Sequence, residues 1–266
     1  MKDIFTRYRP HLVELEDLSW FPDIIRSGGT DFLRHFLIKW DLYEPTIPIL
    51  HNALVRSGRT HIIDLCSGGG GYIEQVYEKL NQLADDPVTI QLTDKFPNLP
   101  AFQLIKERTK AGIDFVEDPV DIFAVPPALK GCRVLYSAIH HFKPLQVKAI
   151  LADAVQKEQP IGIFDGFEYK PLAIIGLLIL HPILFLIYTP FFKPFKWSRL
   201  LFTYLIPLIP LYTIWDGIVS VIRFYHHRDL AYIADSLDAP NYKWEHGQTK
   251  NRYGMKASYL VGYPVK

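Results

Sequence analysis

The sequence predicts an α/β fold with a doubly wound, mostly parallel sheet. From residue 60 onwards, short apolar runs alternate with amphipathic stretches, which is typical of βα units. The predicted strands are 61–66, 88–93, 113–117, 133–137 and 161–165, and the predicted helices are 71–83, 99–111 and 145–157. Two further strands are predicted at 242–248 and 257–263, separated by polar, glycine-containing sequence. Such a sheet places a ligand crevice at the carboxyl ends of its parallel strands.

The composition limits the possible partners and location of the chain. Its 266 residues suit one α/β core with an insertion, and the formal net charge of +1 provides no basic field for a nucleic-acid backbone. We therefore expect no nucleic-acid partner. Cys66 and Cys132 lie in apolar runs without metal-ligand spacing, which indicates reduced thiols in a cytosolic protein. Residues 1–20 contain no continuous apolar run, so we predict no secretory signal and a cytoplasmic location.

The predicted elements divide the chain into four parts. We predict a helical cap at 1–59, an α/β core at 60–170, an apolar helical insertion at 171–240 and a strand pair at 241–266. The cap is predicted from apolar residues at helical spacing that follow two N-cap residues. The apolar residues are Phe32, Leu33, Phe36, Leu37 and Trp40, and the N-cap residues are Thr30 and Asp31.

The insertion contains unusually apolar sequence. Residues 171–190 have no charged side chain and are long enough for a transmembrane helix. Three features count against a hairpin that spans the membrane. Prolines interrupt the apolar runs, a histidine would lie near the middle of the membrane, and the cations of the connecting loop would lie on the outer side, which reverses the usual charge bias. These residues are Pro182, Pro207 and Pro210, His181, and Lys193, Lys196 and Arg199. We predict instead either a lid over the substrate crevice or shallow docking on the inner face of a membrane.

A glycine-rich turn follows the first predicted strand and spans 64–71. Small residues there let a ligand approach the backbone, and the free amides of the next helix attract a carboxylate. Asp64 in this turn would repel a dinucleotide pyrophosphate but attract the amino group of an amino-acid ligand. The nicotinamide pattern also requires a small residue at position 73, which is Ile73. The turn therefore disfavours a nicotinamide-dependent oxidoreductase.

The turn resembles motif I of the class I S-adenosylmethionine-dependent methyltransferases, which reads acidic-x-Gly-x-Gly-x-Gly. Cys66 stands in place of the first glycine. The resemblance covers about 60–163 and resumes at the last two strands, because these enzymes end a Rossmann-like sheet with an antiparallel strand pair. It implies S-adenosylmethionine as cofactor, methyl transfer as activity and no metal. The turn residues that it implies in cofactor binding are Asp64, Cys66, Ser67, Gly68 and Gly70.

The resemblance also implies cofactor contacts after the second, third and fourth strands. Asp94 would accept bonds from the ribose hydroxyls, with a solvated loop acid as the alternative. Adenosine would be flanked by Lys95 and Phe96 and lined by Asp118, Pro119 and Val120, while Ser137 and Ala138 would lie beside the reactive methyl group. Asp118 is alternatively a turn residue before proline. Tyr43 either closes over the cofactor or belongs to the core.

His140 and His141 follow the fourth strand at the predicted crevice. Either is a candidate general base, because histidine titrates near neutral pH, and either could instead only hydrogen-bond the loop. This segment lacks the Asn- or Asp-Pro-Pro-aromatic motif of the amino-methylating nucleic-acid enzymes in the family. Among other polar residues in apolar surroundings, Asp165 and Glu168 are predicted to orient a histidine or a substrate hydroxyl, and Asp216 is predicted to pair with Arg223 and anchor the insertion.

The apolar insertion and the aromatic cap predict a small or medium hydrophobic acceptor, such as a lipid, an isoprenoid or an aromatic natural product. The alternative function is a membrane-docked scaffold or ligand sensor that has a Rossmann-like fold and catalyses nothing. The sequence makes no prediction of oligomeric state.

Overall fold

The computed structural model describes residues 10–166 and 171–265, so the predicted role of Glu168 lies outside the described residues. The strands are β1 (His61–Leu65), β2 (Thr89–Thr93), β3 (Ile113–Phe115), β4 (Cys132–Tyr136), β5 (Ile161–Asp165), β6 (Tyr242–Lys250) and β7 (Lys256–Pro264). The helices are α1 (Asp23–Trp40), α2 (Ile47–Ser57), α3 (Ile73–Leu83), α4 (Leu99–Arg108), α5 (Pro144–Gln156), α6 (Pro171–Tyr188), α7 (Trp197–Leu200), α8 (Leu208–Arg223) and α9 (His227–Asp235). The structure also contains single helical turns at Leu15–Asp17 and Ile139–His141 and a π-helical segment at Leu201–Leu205.

The seven strands form one sheet in the order β3-β2-β1-β4-β5-β7-β6. The first five are parallel, and Asp64 of β1 lies in register with Leu92 of β2 and Val134 of β4. Strand β7 is antiparallel to both β5 and β6. The predicted mostly parallel sheet with a C-terminal antiparallel pair is confirmed.

Helices cover both faces of the sheet, because alternate strand residues point to opposite faces. Ile62 belongs to the apolar cluster under α2, α3 and α4, and its neighbour Ile63 belongs to the cluster under α5 and α9. The predicted boundaries at 59 and 240 group α2 with the cap and α9 with the insertion. In the structure both of these helices pack on the sheet.

Helix α1 and the insertion build a separate apolar cluster above the sheet. Its buried members include Phe32 of α1, Phe185 of α6 and Ile209 of α8. Helix α1 begins at Asp23, so Thr30 and Asp31 lie within it and the predicted N-cap there is wrong. Asp31 is buried and instead forms ion pairs with Lys196 (3.0 Å) and Arg199 (2.8 Å) of the insertion.

The two adjacent glycines of α1 explain why the sequence does not predict the first turns of this helix. Gly28 and Gly29 have low helix propensity, so the stretch before Thr30 does not read as a helix. A Cβ atom on Gly28 would overlap the side chain of Ile209, and one on Gly29 would overlap the hydroxyl of Tyr212. The two glycines therefore allow α8 to lie directly against α1.

We expect Gly29→Ala to lower the free energy of unfolding by about 1–3 kcal/mol, the usual cost of overpacking a core. The added methyl group would displace the Tyr212 hydroxyl, which donates to the Arg26 carbonyl (2.9 Å). Gly176→Ala in α6 is the matched control, because its new Cβ would have no neighbour within 4 Å. Urea unfolding should show the control unchanged or more stable by up to about 1 kcal/mol. Equal losses in both variants would contradict this packing.

Among the described residues, no single helix is long and apolar enough to cross a bilayer. One pair of helical segments, Trp197–Leu205 with Leu208–Arg223, meets the length and composition criteria together, and it is bent by 80°.

Candidate active site

A cavity of about 460 Å³ lies at the carboxyl ends of β1, β2 and β4. We call it the turn cavity, since the glycine-rich turn after β1 forms one wall through Ser67 and Gly68. Asp94 after β2 and the pair Ser137 and Ala138 after β4 form the facing walls. The structure thus brings together predicted cofactor residues that lie far apart in the sequence.

The backbone of the turn depends on left-handed conformations. Gly68 has φ 57° and Gly70 has φ 89°, which glycine adopts without steric cost. A Cβ on Gly69 would lie 2.8 Å from the carbonyl oxygen of Thr30, so this glycine lets α1 approach the turn. Cys66 has φ 59° although it is not glycine, at a cost of about 1–2 kcal/mol. The turn therefore adopts a left-handed conformation at Cys66, the position where the motif has glycine.

Asp94 is half-buried and holds the turn to the loop after β2. Its Oδ2 accepts the amide of Gly68 (2.7 Å) and its Oδ1 accepts the amide of Phe96 (2.7 Å). Burial raises the pKa of this carboxyl group above its ordinary value, and the two amides partly oppose that change. A carboxylate has about four acceptor sites, so capacity remains for ligand hydroxyls. Lys95 is exposed on the cavity rim and pairs with Asp121 (3.2 Å).

The remaining predicted cofactor residues differ in position. Asp64 is buried beneath the turn, away from the lining of the turn cavity, and burial raises its pKa to about 7. Asp118 and Pro119 are exposed and also lie outside that lining, whereas Val120 belongs to it. The amide of Val120 donates to the Asp94 carbonyl (2.8 Å), and this bond brings Val120 and Asp121 to the cavity instead of Asp118.

A second cavity of about 340 Å³ lies between the sheet and the helices α1, α6 and α8. We call it the apolar cavity, because side chains such as Phe36, Leu184 and Phe224 form most of its wall. It adjoins the turn cavity at Ser137 and His141, which line both. The two cavities therefore share part of their lining.

His140 lines the apolar cavity and is held by a buried carboxylate. Its Nδ1 lies 2.9 Å and 3.0 Å from the two oxygens of Asp165, whose side chain is fully buried. Asp165 also accepts the backbone amides of His140 (3.1 Å) and Gly166 (2.8 Å). Because a carboxylate accepts and does not donate, this contact places a proton on Nδ1, and Nε2 lies 3.9 Å from Oε1 of Glu14.

His141 lies in a different electrostatic environment, among three carboxylates. Its Nδ1 lies 2.8 Å from Asp17 and 3.4 Å from Glu14, and its Nε2 lies 3.6 Å from Glu16. Burial opposes its charge, but the carboxylates outweigh burial and raise the pKa of His141 to about 10. The imidazole is therefore already protonated at neutral pH and cannot accept a proton there.

Helix α8 binds the single turn Leu15–Asp17 through hydrogen bonds and holds it next to His141. Asp216 accepts the amides of Leu15 (2.8 Å) and Glu16 (3.0 Å), and Arg223 donates to Glu14 (3.0 Å). The predicted pairing of Asp216 with Arg223 is wrong, because each side chain binds the N-terminal segment instead. Burial raises the pKa of Asp216 to about 7 despite the two amides.

Ligand atoms of Glu14, His140 and His141 lie within 4.8 Å of one another, a spacing that suits a metal ion. The guanidinium of Arg223 already binds Glu14, and Asp17 already binds His141. The guanidinium of Arg223 and the protonated imidazole of His141 thus place positive charge where a metal ion would bind. The prediction of a metal-independent reaction stays a prediction.

Tyr43 belongs to the core and is fully buried. Its hydroxyl lies 2.5 Å from the Oγ of Ser137, a residue with φ 53°. Tyr43 therefore holds the loop after β4 from below, and it does not line either cavity.

We expect the stability of the protein to fall between pH 7 and pH 9 because of His141. Its folded pKa of about 10 lies above the ordinary value of 6.5, so its charge stabilises the fold fully below pH 6.5. That stabilisation is lost as the pH rises towards about 10. Urea unfolding should show a decline steeper in the native protein than in His141→Gln by roughly 1 kcal/mol per pH unit. Parallel curves for the two proteins would contradict the assignment.

No protein-family model matches the sequence, and no curated protein matches it. The structure, however, is similar to solved methyltransferases. An O-methyltransferase family 2 protein from Planctomyces limnophilus, solved in complex with apigenin, matches 94% of this chain and 67% of its own at TM-score 0.53 and 15% identity. Human N-acetylserotonin methyltransferase in complex with S-adenosylmethionine matches 93% of this chain and 59% of its own at TM-score 0.50 and 12% identity.

The fold is that of the class I S-adenosylmethionine-dependent methyltransferases. The strand order and the antiparallel β7 agree with this likeness over nearly the whole chain. The chain spans 59–67% of the length of these two structures, and at this level of identity the likeness establishes the fold alone.

In this methyltransferase fold, sequence reasoning missed the acidic turn that contains Glu14, Glu16 and Asp17. Glu16 lines both cavities, and burial raises its pKa to about 8 although His141 opposes the rise. The only sequence signal was the run of acidic residues in an otherwise mixed N-terminal segment. Its partner His141 is more than a hundred positions away in the chain.

Proposed function

We propose that this protein transfers the methyl group of S-adenosylmethionine to a hydroxyl group on a hydrophobic acceptor. The observation that carries this proposal is the His140–Asp165 pair, because His140 lies in the wall of the apolar cavity and its neighbour His141 lines both cavities. The fold supports the choice of cofactor.

The residues of the turn cavity fit S-adenosylmethionine. The close backbone of Gly68 and Gly69 admits a ligand, and Asp94 offers acceptors for ribose hydroxyls. The carboxylate of Asp17, whose pKa lies below its ordinary value because His141 outweighs burial, lines the same cavity and favours a ligand with positive charge. When bound, the cofactor supplies an electrophilic methyl group on a sulfonium.

His140 is the general base in this proposal, and His141 is not. The Nδ1 proton of His140 is held by Asp165, so Nε2 is available to accept the acceptor's hydroxyl proton. Asp165 then stabilises the imidazolium that forms, as a buried carboxylate does in other paired histidines. His141 is already charged, and it forms an ion pair with Asp17 of the acidic turn where the two cavities adjoin.

The acceptor is proposed to be small or medium in size and hydrophobic. A cavity of about 340 Å³ lies at the small end of the usual range for ligand sites. Its mostly apolar wall favours a hydrophobic acceptor over a polar one.

Titration calorimetry with candidate cofactors tests the proposal. We expect S-adenosylmethionine and S-adenosylhomocysteine to bind, because both carry the adenosine and amino-acid groups that the turn cavity fits. We expect the oxidised nicotinamide dinucleotide not to bind, because its pyrophosphate would face the carboxylates there. Binding of the dinucleotide alone would overturn the proposal.

A further inference from the structure

The helices of the insertion present an apolar outer face to solvent. We define this outer face by Ile179 and Ile187 of α6, Trp197 of α7, Leu205 of the π-helical segment and Leu211 of α8. Their exposed fractions range from 55% for Ile187 to 78% for Trp197. Exposed apolar residues that occur singly are ordinary, but a contiguous set of this extent indicates a binding surface.

The outer face is continuous, and its polar groups are satisfied internally. Helix α6 packs against α8, and the Tyr204 hydroxyl donates to the Leu186 carbonyl (2.5 Å). His181, the only residue of α6 whose side chain can be charged near neutral pH, turns inward to the Thr213 hydroxyl (2.9 Å). Burial lowers the pKa of His181 to about 4, so it is neutral at physiological pH. No charge from α6 therefore interrupts the face.

Along the chain, the charged residues between Ile179 and Leu211 have one sign. Between Pro171 and Trp215 the sequence contains Lys193, Lys196 and Arg199 but no aspartate or glutamate. Arg199 and Lys196 pair with Asp31, whereas Lys193 is exposed beside the exposed ring of Phe195. Lysine and aromatic side chains at the edge of an apolar surface suit the headgroup region of an anionic bilayer.

The apolar cavity reaches this same surface. Leu180 of α6 lines the cavity and is 53% exposed, between Ile179 and the buried His181. Gly176, one turn earlier, also lines the cavity and is exposed. The apolar cavity therefore borders the outer face along α6.

We propose that the outer face docks on an anionic lipid bilayer and that the acceptor enters the apolar cavity directly from the lipid. The docking stands on the surface alone, and the route of the acceptor rests on the proposed function. A second copy of the chain fits less well, because protein interfaces normally carry about one hydrogen bond per 100–200 Å² and this face offers few polar partners.

Flotation with vesicles of equimolar phosphatidylcholine and phosphatidylglycerol tests the docking. The face variant combines Ile187→Glu, Trp197→Glu and Leu205→Glu. The matched control combines Val55→Glu, Leu83→Glu and Leu145→Glu, which are exposed by 52–80% on the helices of the core. We expect the native protein and the control to float, and the bound fraction of the face variant to fall roughly tenfold or more.

Three results would overturn the docking: a native protein that does not float, equal losses in both variants, or a native dimer that the face variant converts to a monomer. The last result would assign the face to a second copy. Calorimetry with S-adenosylmethionine checks that both variants remain folded, since neither set of substitutions touches the turn cavity.

The route of the acceptor is tested with a lipid extract supplied either in these vesicles or in detergent micelles. We expect the face variant to lose methyl transfer from vesicles but to match the control in micelles. Equal transfer by both variants from vesicles would overturn the direct route. An absence of transfer by every protein in both preparations would refute the proposed function, while the flotation result would still stand.

Discussion

Gly68→Val is expected to abolish binding of S-adenosylmethionine while the protein stays folded. Gly68 has φ 57° and lines the turn cavity, where a built Cβ meets only the Thr30 side chain at 3.6 Å or more. The branched side chain would therefore occupy space that the ligand needs. We expect the dissociation constant in titration calorimetry to rise roughly a hundredfold or more, beyond the measurable range.

Gly58→Val is the matched control for that substitution. Gly58 has φ 62°, almost the same conformation, and it ends α2 with no neighbour within 4 Å of a built Cβ. Both variants carry the same backbone strain, so thermal unfolding should show similar losses. Only Gly68→Val should lose the ligand. Unchanged affinity in Gly68→Val would remove the turn cavity as the cofactor site.

His140→Ala is expected to reduce methyl transfer by roughly 10²–10⁴-fold, the usual contribution of a general base. Asp165→Asn should also reduce it, because an amide can donate to Nδ1 and so favours the wrong tautomer of His140. The affinity for S-adenosylmethionine should stay unchanged in both, since neither residue lines the turn cavity. Initial rates with a lipid extract and calorimetry give the two quantities.

His61→Ala is the control for histidine removal. His61 begins β1, at the opposite end of the strand from the turn, and its Nδ1 lies 2.8 Å from the Thr89 hydroxyl. This variant should keep the native rate. A rate in His140→Ala equal to that of the native protein would transfer the base role to another group or show that the acceptor needs none.

The parallel core could be predicted because its signals are local. Strand β5 occupies the predicted residues 161–165, and the other four parallel strands overlap their predictions with ends that differ by at most two residues. Strands buried on both faces need continuous apolar runs, which the sequence shows directly. The glycine-rich turn after β1 could also be predicted, because its positive φ values require glycine or other small residues within a few positions of the sequence.

The rest of the site depends on contacts between distant parts of the chain. Asp31 resembles an N-cap locally, but its actual partners Lys196 and Arg199 lie more than 160 residues away. Likewise, the sequence could not choose between His140 and His141. Only the fold shows that Asp165 binds Nδ1 of His140, whereas carboxylates of the N-terminal segment raise the pKa of His141.

Labelled transfer measures whether this protein moves a methyl group from S-adenosylmethionine to a hydrophobic acceptor. The native protein is incubated with cofactor labelled in its methyl group and with a lipid extract, and the organic phase is then analysed. We predict that label enters the organic phase in proportion to the S-adenosylhomocysteine released, and that His140→Ala nearly eliminates both. Cofactor that binds but stays unconverted with every extract would contradict the account and favour a non-catalytic scaffold or ligand sensor.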